Sequence, residues 1–327
     1  MNKTLQLAKK LNLAFLGCGR VTRMHSKTLT AFRSQVNCWY ASRERSRADA
    51  YQKRFGGEGA FGSYQQAIES KDIDVALIAT PPQYHLEWAL AALRAGKHVI
   101  VEKPPFLKAS DFDLAQAEAE KNNRQLFIAE NYFYKPLLTH LKHLIEQEVI
   151  GEILFVHFNA LKGQEARGWR GDVALSGGGA LFEGGVHWVN FISNLGLNLH
   201  SVRGLRPGSP DGLDRSMMLS LQYREGAVGS LYYSWETPSL FKGLRLSKIY
   251  GREGSLTFES NGLFILLRGK RKRIIFPGLQ DISGFHAMFS DFLAGLQENR
   301  PAQFTLDLAK RDLEIIERAY KTTTDSF

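Results

Sequence analysis

Gly17-Cys18-Gly19-Arg20-Val21-Thr22 follows the apolar run LNLAFL and is the first place where residue type and spacing point to chemistry. In a strand-to-helix turn of this kind the first glycine makes the tight bend. The second lets the backbone approach a pyrophosphate resting on the helix N-terminus. Gly17, Gly19, Arg20 and Val21 are therefore candidate dinucleotide contacts; Thr22 takes the place of the usual third small residue. About 20 residues on, an acidic side chain would hold the ribose 2′-hydroxyl of NAD. Here stand Ala41-Ser42-Arg43 instead. A hydroxyl followed by a guanidinium suits a 2′-phosphate through charge-assisted hydrogen bonds, so Ser42 and Arg43 predict NADP(H) in preference to NAD(H). The bland alternative is that Arg43, with Arg45 and Arg47, decorates an exposed helix start.

Two further groups, Thr80-Pro81-Pro82-Gln83-Tyr84-His85 and Glu102-Lys103-Pro104, each close an apolar run. Strand candidates at 11–17, 36–42, 74–80, 98–103 and 125–131 alternate with helix candidates near 20–33, 44–54, 63–70, 84–95 and 109–122. Continuous apolar strands separated by helices predict a parallel sheet covered on both faces. Residues 1–132 thus read as an N-terminal doubly wound Rossmann domain of the α/β class. Thr80, Pro81, Pro82, Glu102 and Lys103 then lie at the carboxyl edge of its sheet, where open α/β folds bind ligands. Beyond Pro136 the pattern changes to a helix, a strand (EILFVHFNAL), a Gly-rich loop opening a helix near 180–195, and seven short strands joined by turn signals. Two helices, near 284–297 and 305–322, close the chain. Residues 133–327 read as a C-terminal α+β domain with a mixed, mostly antiparallel open sheet.

The combination of G-C-G-R with His25 beyond it, A-T-P-P-x-x-H ending at His85, A-G-K-H-V and E-K-P resembles the glucose-fructose oxidoreductase / inositol dehydrogenase (Gfo/Idh/MocA) family of NAD(P)-dependent oxidoreductases. The motifs recur in order over roughly residues 11 to 195. The resemblance adds His85 and Asn131 to the cofactor-side candidates. It also picks out Trp169-Arg170 and Ser176-Gly177-Gly178-Gly179-Ala180-Leu181-Phe182-Glu183-Gly184-Gly185-Val186-His187, where the family's acidic residue and histidine face the substrate beside the E-K-P lysine. Positions 183 and 187 are i and i+4, on one face of a helix. Departures are Glu183 for the usual Asp, Asn190 where Asp is common, and Phe133 where Arg is common in E-N-Y-F-Y-K-P.

What the resemblance implies is a division of labour at a sugar, polyol or similar polar substrate. Lys103 polarises or protonates the reacting oxygen and His187 is the general acid/base. Glu183 orients His187 or binds a sugar hydroxyl. Trp169 and Arg170 form a substrate wall, Tyr134 supplies a polar contact, and Tyr132, Phe133 and Tyr134 offer rings to a sugar face. Two rival classes stay open: a non-catalytic dinucleotide-binding sensor on the same fold, and a glycoside hydrolase that recycles its cofactor. The resemblance also implies a homodimer or homotetramer.

Composition limits the partners. Lys and Arg number 42 against 33 Asp and Glu, a net charge of +9, which favours anionic partners without choosing among them. The densest basic run, Arg268 to Arg273, lies between FILL and IIF and reads as a solvated hairpin tip. No aromatic residues interleave its charges, so no nucleic-acid partner is expected. Apolar runs fall short of the roughly 18 residues that span a bilayer, and MNKTLQLAKKLNLAFLG is too soon interrupted by glycine for a signal peptide. No membrane partner is expected. Two cysteines, Cys18 and Cys38, supply no disulfide framework, in keeping with the cytoplasm. Glu183 with His187, and His140 with His143, are metal-like pairs lacking a third ligand at evident spacing, so no metal is expected.

Overall fold

Leu13, Ala14, Phe15 and Leu16 are almost wholly buried, as a strand covered on both faces requires. In the computed structural model, which describes residues 10–208, 212–238 and 243–324, this segment is β1 (Leu11–Leu16). The first nine residues of the stretch weighed above as a signal peptide lie outside the described residues. The chain divides into two compact units. The first comprises residues up to Pro105, Asp111–Ala129 and Phe289–Leu306. The second comprises Phe106–Ser110, Glu130–Met288 and residues from Asp307 onward.

In the first unit, β1 is joined by β2 (Val36–Ala41), β3 (Gly59–Phe61), β4 (Val75–Ile78), β5 (His98–Glu102) and β6 (Leu126–Ala129). All pair in parallel, in the order β3-β2-β1-β4-β5-β6. The order reverses between β1 and β4, which makes their carboxyl ends the switch point where such sheets take ligands. Helices α1 (Arg20–Leu29), α2 (Arg45–Phe55), α3 (Tyr64–Glu69), α4 (His85–Arg94) and α5 (Asp111–Lys121) alternate with the strands. β3 is the one strand that the pattern of apolar runs does not disclose: at three residues, none fully buried, it is too short and too exposed to leave a signal. Phe127 of β6 stacks on Phe292, their centroids 5.0 Å apart, so residues late in the chain complete this core.

The second unit carries α6 (Pro136–Glu146), β7 (Ile153–Leu161), α7 (Val173–Ser176), α8 (Val186–Ser193), β8 (Leu199–Leu205), β9 (Ser216–Tyr223), β10 (Val228–Ser234), β11 (Leu246–Gly251), β12 (Gly254–Glu259), β13 (Ile265–Arg268) and β14 (Lys272–Ile275). α9 (Phe285–Glu298) and α10 (Leu306–Thr324) follow. The sheet order is β14-β13-β12-β11-β7-β10-β9-β8. Only β7 and β10 pair in parallel; every other pairing is antiparallel, and β13 with β14 forms the hairpin around the basic run. Period-2 alternation sends Phe158 of β7 and Phe258 of β12 inward, where they meet edge-on and Phe158 also packs against Trp188 and Phe191 of α8. The opposite face is open and carries exposed Phe155, Val228, Tyr232, Leu246 and Tyr250.

The helix expected near 180–195 is α only from Val186. Leu181–Gly185 forms a π turn, a rare geometry concentrated at functional sites. Glycine is needed here for space: a methyl on Gly184 would lie 2.0 Å from the Tyr233 hydroxyl.

Candidate active site

In the first unit the loop after β1 bends at Gly17, whose φ of +119° favours glycine. Thr22 returns to it, its hydroxyl donating to the Gly17 carbonyl at 2.7 Å. Gly19 caps α1 with no side-chain cap bond and no acidic residue in the first turn. A side chain at Gly19 would meet nothing within 4 Å. Gly19 and Arg20 are exposed at the positive end of a ten-residue helix. At the end of β4, the Thr80 hydroxyl is buried without a hydrogen-bond partner. A glycine cradle, an uncapped helix start and an orphaned hydroxyl at the switch point fit a dinucleotide.

The other first-unit candidates divide into exposed and structural. Ser42 is buried and its Oγ accepts the Glu44 amide at 3.2 Å. Arg43 is exposed and reaches the Tyr64 hydroxyl. Pro81 and Pro82 lead into the short 3-10 turn Pro82–Tyr84 before α4. His85 is buried, and its ring bridges the Thr80 carbonyl (Nε2, 2.8 Å) and the Pro104 carbonyl (Nδ1, 2.9 Å). Burial holds its pKa below the ordinary imidazole value. His85 therefore ties the segment after β4 to the segment after β5. Glu102 is buried against His25 and accepts the Lys103 amide at 3.1 Å. Burial alone would raise its carboxyl, but the His25 contact with Lys103 and His85 nearby outweighs it and holds the group below the ordinary carboxylate range. Glu102 thereby fixes the backbone that presents Lys103.

In the second unit the π turn and α8 carry Glu183 and His187. Arg170 donates to Glu183 Oε1 at 3.0 Å, and the Arg170 guanidinium lies 4.3 Å over the Trp169 ring. Trp169, Arg170 and Glu183 are thus one cluster. The carboxylate on His187 is Glu130, Oε1 to Nδ1 at 2.6 Å. Tyr132 stacks on the imidazole with centroids 4.3 Å apart and planes 14° from parallel. The Lys135 ammonium stands 4.4 Å over the same Tyr132 ring, so Tyr132 is engaged by protein groups and is not a free sugar platform. Burial lowers the Lys135 pKa to about 8, opposed by Glu259 and Glu130.

Asn131 donates to the Ser283 carbonyl at 2.6 Å, a tie within the second unit. Tyr134 is buried and meets Phe133 edge-on at 5.2 Å. Asn190, at the position where Asp was anticipated, donates to Asp312 of α10 at 2.7 Å. Burial pushes the Asp312 carboxyl up to about 7, opposed by Arg311 and Asn190. Motif reading missed Asp312 and gave no role to Glu130, although Glu130 opens E-N-Y-F-Y-K-P at the end of the apolar strand QLFIA. Among the described residues no group of three or more His, Cys, Asp or Glu is placed to hold a metal, and no helix is long and apolar enough to cross a membrane.

Comparison with known proteins agrees with this architecture. Residues 11–130 match the model of the GFO/IDH/MocA oxidoreductase family, NAD-binding Rossmann fold. Residues 138–257 match the GFO/IDH/MocA C-terminal domain. The dTDP-3,4-didehydro-2,6-dideoxy-alpha-D-glucose 3-reductase of Saccharopolyspora spinosa is 31% identical over 244 residues, 70% of each chain. Levoglucosan dehydrogenase of Pseudarthrobacter phenanthrenivorans is 29% identical over 238 residues, covering 63% of this chain but only 60% of that enzyme's length. A solved levoglucosan dehydrogenase in complex with NADH and levoglucosan superposes with a TM-score of 0.86 over 97% of this chain and 98% of that one, at 21% identity. The Rossmann and C-terminal models together span most of the described chain, and the protein belongs to the Gfo/Idh/MocA family of oxidoreductases with an NAD-binding Rossmann fold.

Proposed function

We propose that this chain is an NADP(H)-dependent oxidoreductase that transfers hydride to or from a hydroxyl- or carbonyl-bearing carbon of a sugar, polyol or related small polar metabolite. The observation that carries the reading is His187, paired through Nδ1 to Glu130 in a unit that also holds the Arg170–Glu183 pair, within a family whose relatives are named sugar dehydrogenases and reductases. Residues 1–132 take the dinucleotide and 133–327 the substrate. Gly17, Gly19, Arg20, Val21, Thr80, Pro81 and Pro82 hold the dinucleotide. Glu102, His85 and Asn131 support it by fixing backbone.

A bound nicotinamide supplies or accepts the hydride. His187 exchanges a proton with the substrate oxygen through Nε2, the nitrogen not engaged by Glu130. Lys103 donates to a reacting oxygen as negative charge develops on it. Arg170, its guanidinium over the Trp169 ring, and Glu183 bind neighbouring hydroxyls. Both cysteines are free, which supports a cytoplasmic location. The open sheet face, with Phe155 56% exposed beside Val228 and Tyr250, supports a homodimer or homotetramer formed through it; a monomer in sedimentation velocity would remove that assignment.

Cofactor choice is tested by titrating the cofactor-stripped protein with NADPH and NADH at one salt concentration. NADPH is expected to bind about tenfold tighter, about 1.4 kcal/mol, and Arg43→Ala to erase the difference. Equal affinities in the parent protein would mean that Arg43 points away from the ribose. A sugar and polyol panel with the preferred cofactor then tests substrate class, and binding of neither dinucleotide would favour the sensor reading.

A further inference from the structure

We infer that Glu130 is the positioning residue of His187: it accepts the Nδ1–H hydrogen bond and so commits Nε2 to the substrate. The inference rests on the proposed acid/base role of His187 and gives a role to Glu130, which the motif reading left without one. Glu130 is buried, and its Oε1 accepts the Tyr132 amide at 2.9 Å while lying 2.6 Å from His187 Nδ1. That amide fixes the carboxylate from one side. Tyr132 itself, stacked on the imidazole and meeting Trp188 edge-on at 5.5 Å, fixes the plane of the ring. Rotation out of plane about χ2 would break the stacking, and a 180° flip would move Nδ1 away from Glu130.

The proton belongs on nitrogen for a geometric reason. An ionised carboxylate offers lone pairs only, and Oε1 already spends one on the Tyr132 amide. A charge-assisted Nδ1–H donation to it is short and strong. The alternative, a protonated Glu130 donating to a bare Nδ1, would put the remaining proton on Nε2 of neutral His187. The two arrangements assign opposite proton-transfer duties, because a neutral ring protonated at Nδ1 presents a base to substrate and one protonated at Nε2 presents an acid.

Several charged groups surround the pair. Lys135 stands over the far side of Tyr132 and feels Glu130, Glu259, Arg245 and Asp281; Asp312 of α10 feels Glu130 as a like charge. A pH profile therefore reports Asp312 and Lys135 as well as His187. The test must read the imidazole itself.

Nitrogen chemical shifts of His187 in the wild-type protein without dinucleotide, assigned by their loss in His187→Gln, read the tautomer directly. Nδ1-protonated neutral imidazole is expected. An Nε2-protonated ring would overturn the inference whether or not the protein turns over any sugar, and absence of turnover with an Nδ1-protonated ring would overturn only the proposed reaction. Glu130→Gln supplies the second arm. Removing the negative charge favours the neutral imidazole, so the His187 titration and the acid limb of kcat are expected to move down by about one unit. The same variant should lose about 10²-fold in kcat with KM within a few-fold. An unchanged titration and kcat in folded Glu130→Gln would reduce Glu130 to a packing role, and a variant that fails to fold leaves the tautomer measurement to decide.

Discussion

His187→Ala is expected to lower kcat by roughly 10²- to 10⁴-fold, the span that positioned general acid/base groups contribute, while dinucleotide affinity stays within about threefold of the parent protein. The second half follows from where the residue sits. His187 lies in α8 of the second unit, against Tyr132 and Glu130, whereas the glycine cradle and the orphaned Thr80 hydroxyl belong to the first. Lys103→Ala should cost a similar factor in kcat, because its backbone is already held by Glu102 and only the ammonium is removed. Stopped-flow turnover and fluorescence titration on the same preparations separate the two effects. Parallel loss of turnover and dinucleotide affinity in a folded His187→Ala protein would refute the assignment.

Gly17→Ala carries the largest expected structural effect. With φ at +119°, an alanine is strained whatever the space, and its Cβ would lie 2.7 Å from the Ala79 carbonyl oxygen, a backbone atom that cannot step aside. Strain of this kind costs about 1–3 kcal/mol before the clash is counted. Either β1 and β4 separate at their carboxyl ends or the loop lifts. In both cases the cradle opens, so thermal unfolding should shift down by roughly 5 °C or more and dinucleotide affinity should fall at least tenfold. A melting temperature and affinity equal to those of the parent protein would mean that the loop is not the cradle. Gly19→Ala is the control, since nothing lies within 4 Å of its added methyl; it should cost little stability and lose affinity only where the pyrophosphate approaches.

The first unit was legible because its evidence is local. Apart from β3, the parallel strands appear as apolar runs, and Gly17, Thr80 and Glu102-Lys103 each sit where a run ends. The second unit's strands also announced themselves by alternation and turn residues. What remained hidden depends on the pairing of distant residues. Glu130 and His187 are 57 positions apart, and Asn190 and Asp312 are 122 apart; no spacing rule links them. The i, i+4 relation of Glu183 and His187 gave no hint that Arg170, 13 positions earlier, pairs with Glu183. His85 illustrates the converse. Its motif position marks it as a cofactor residue, while its ring is consumed in holding the Thr80 and Pro104 carbonyls, a role visible only once β4 and β5 are adjacent.

Direct hydride transfer is the central claim, and isotope transfer tests it most directly. A polyol or sugar from the panel, deuterated at the carbinol carbon, would be incubated with the protein and oxidised dinucleotide, and the nicotinamide examined by mass spectrometry and NMR. The account predicts one deuterium on the nicotinamide ring, from one face, and loss of that transfer in His187→Ala. A reduced nicotinamide carrying only solvent hydrogen, or no transfer to any member of the panel from a protein that binds the dinucleotide, would contradict it.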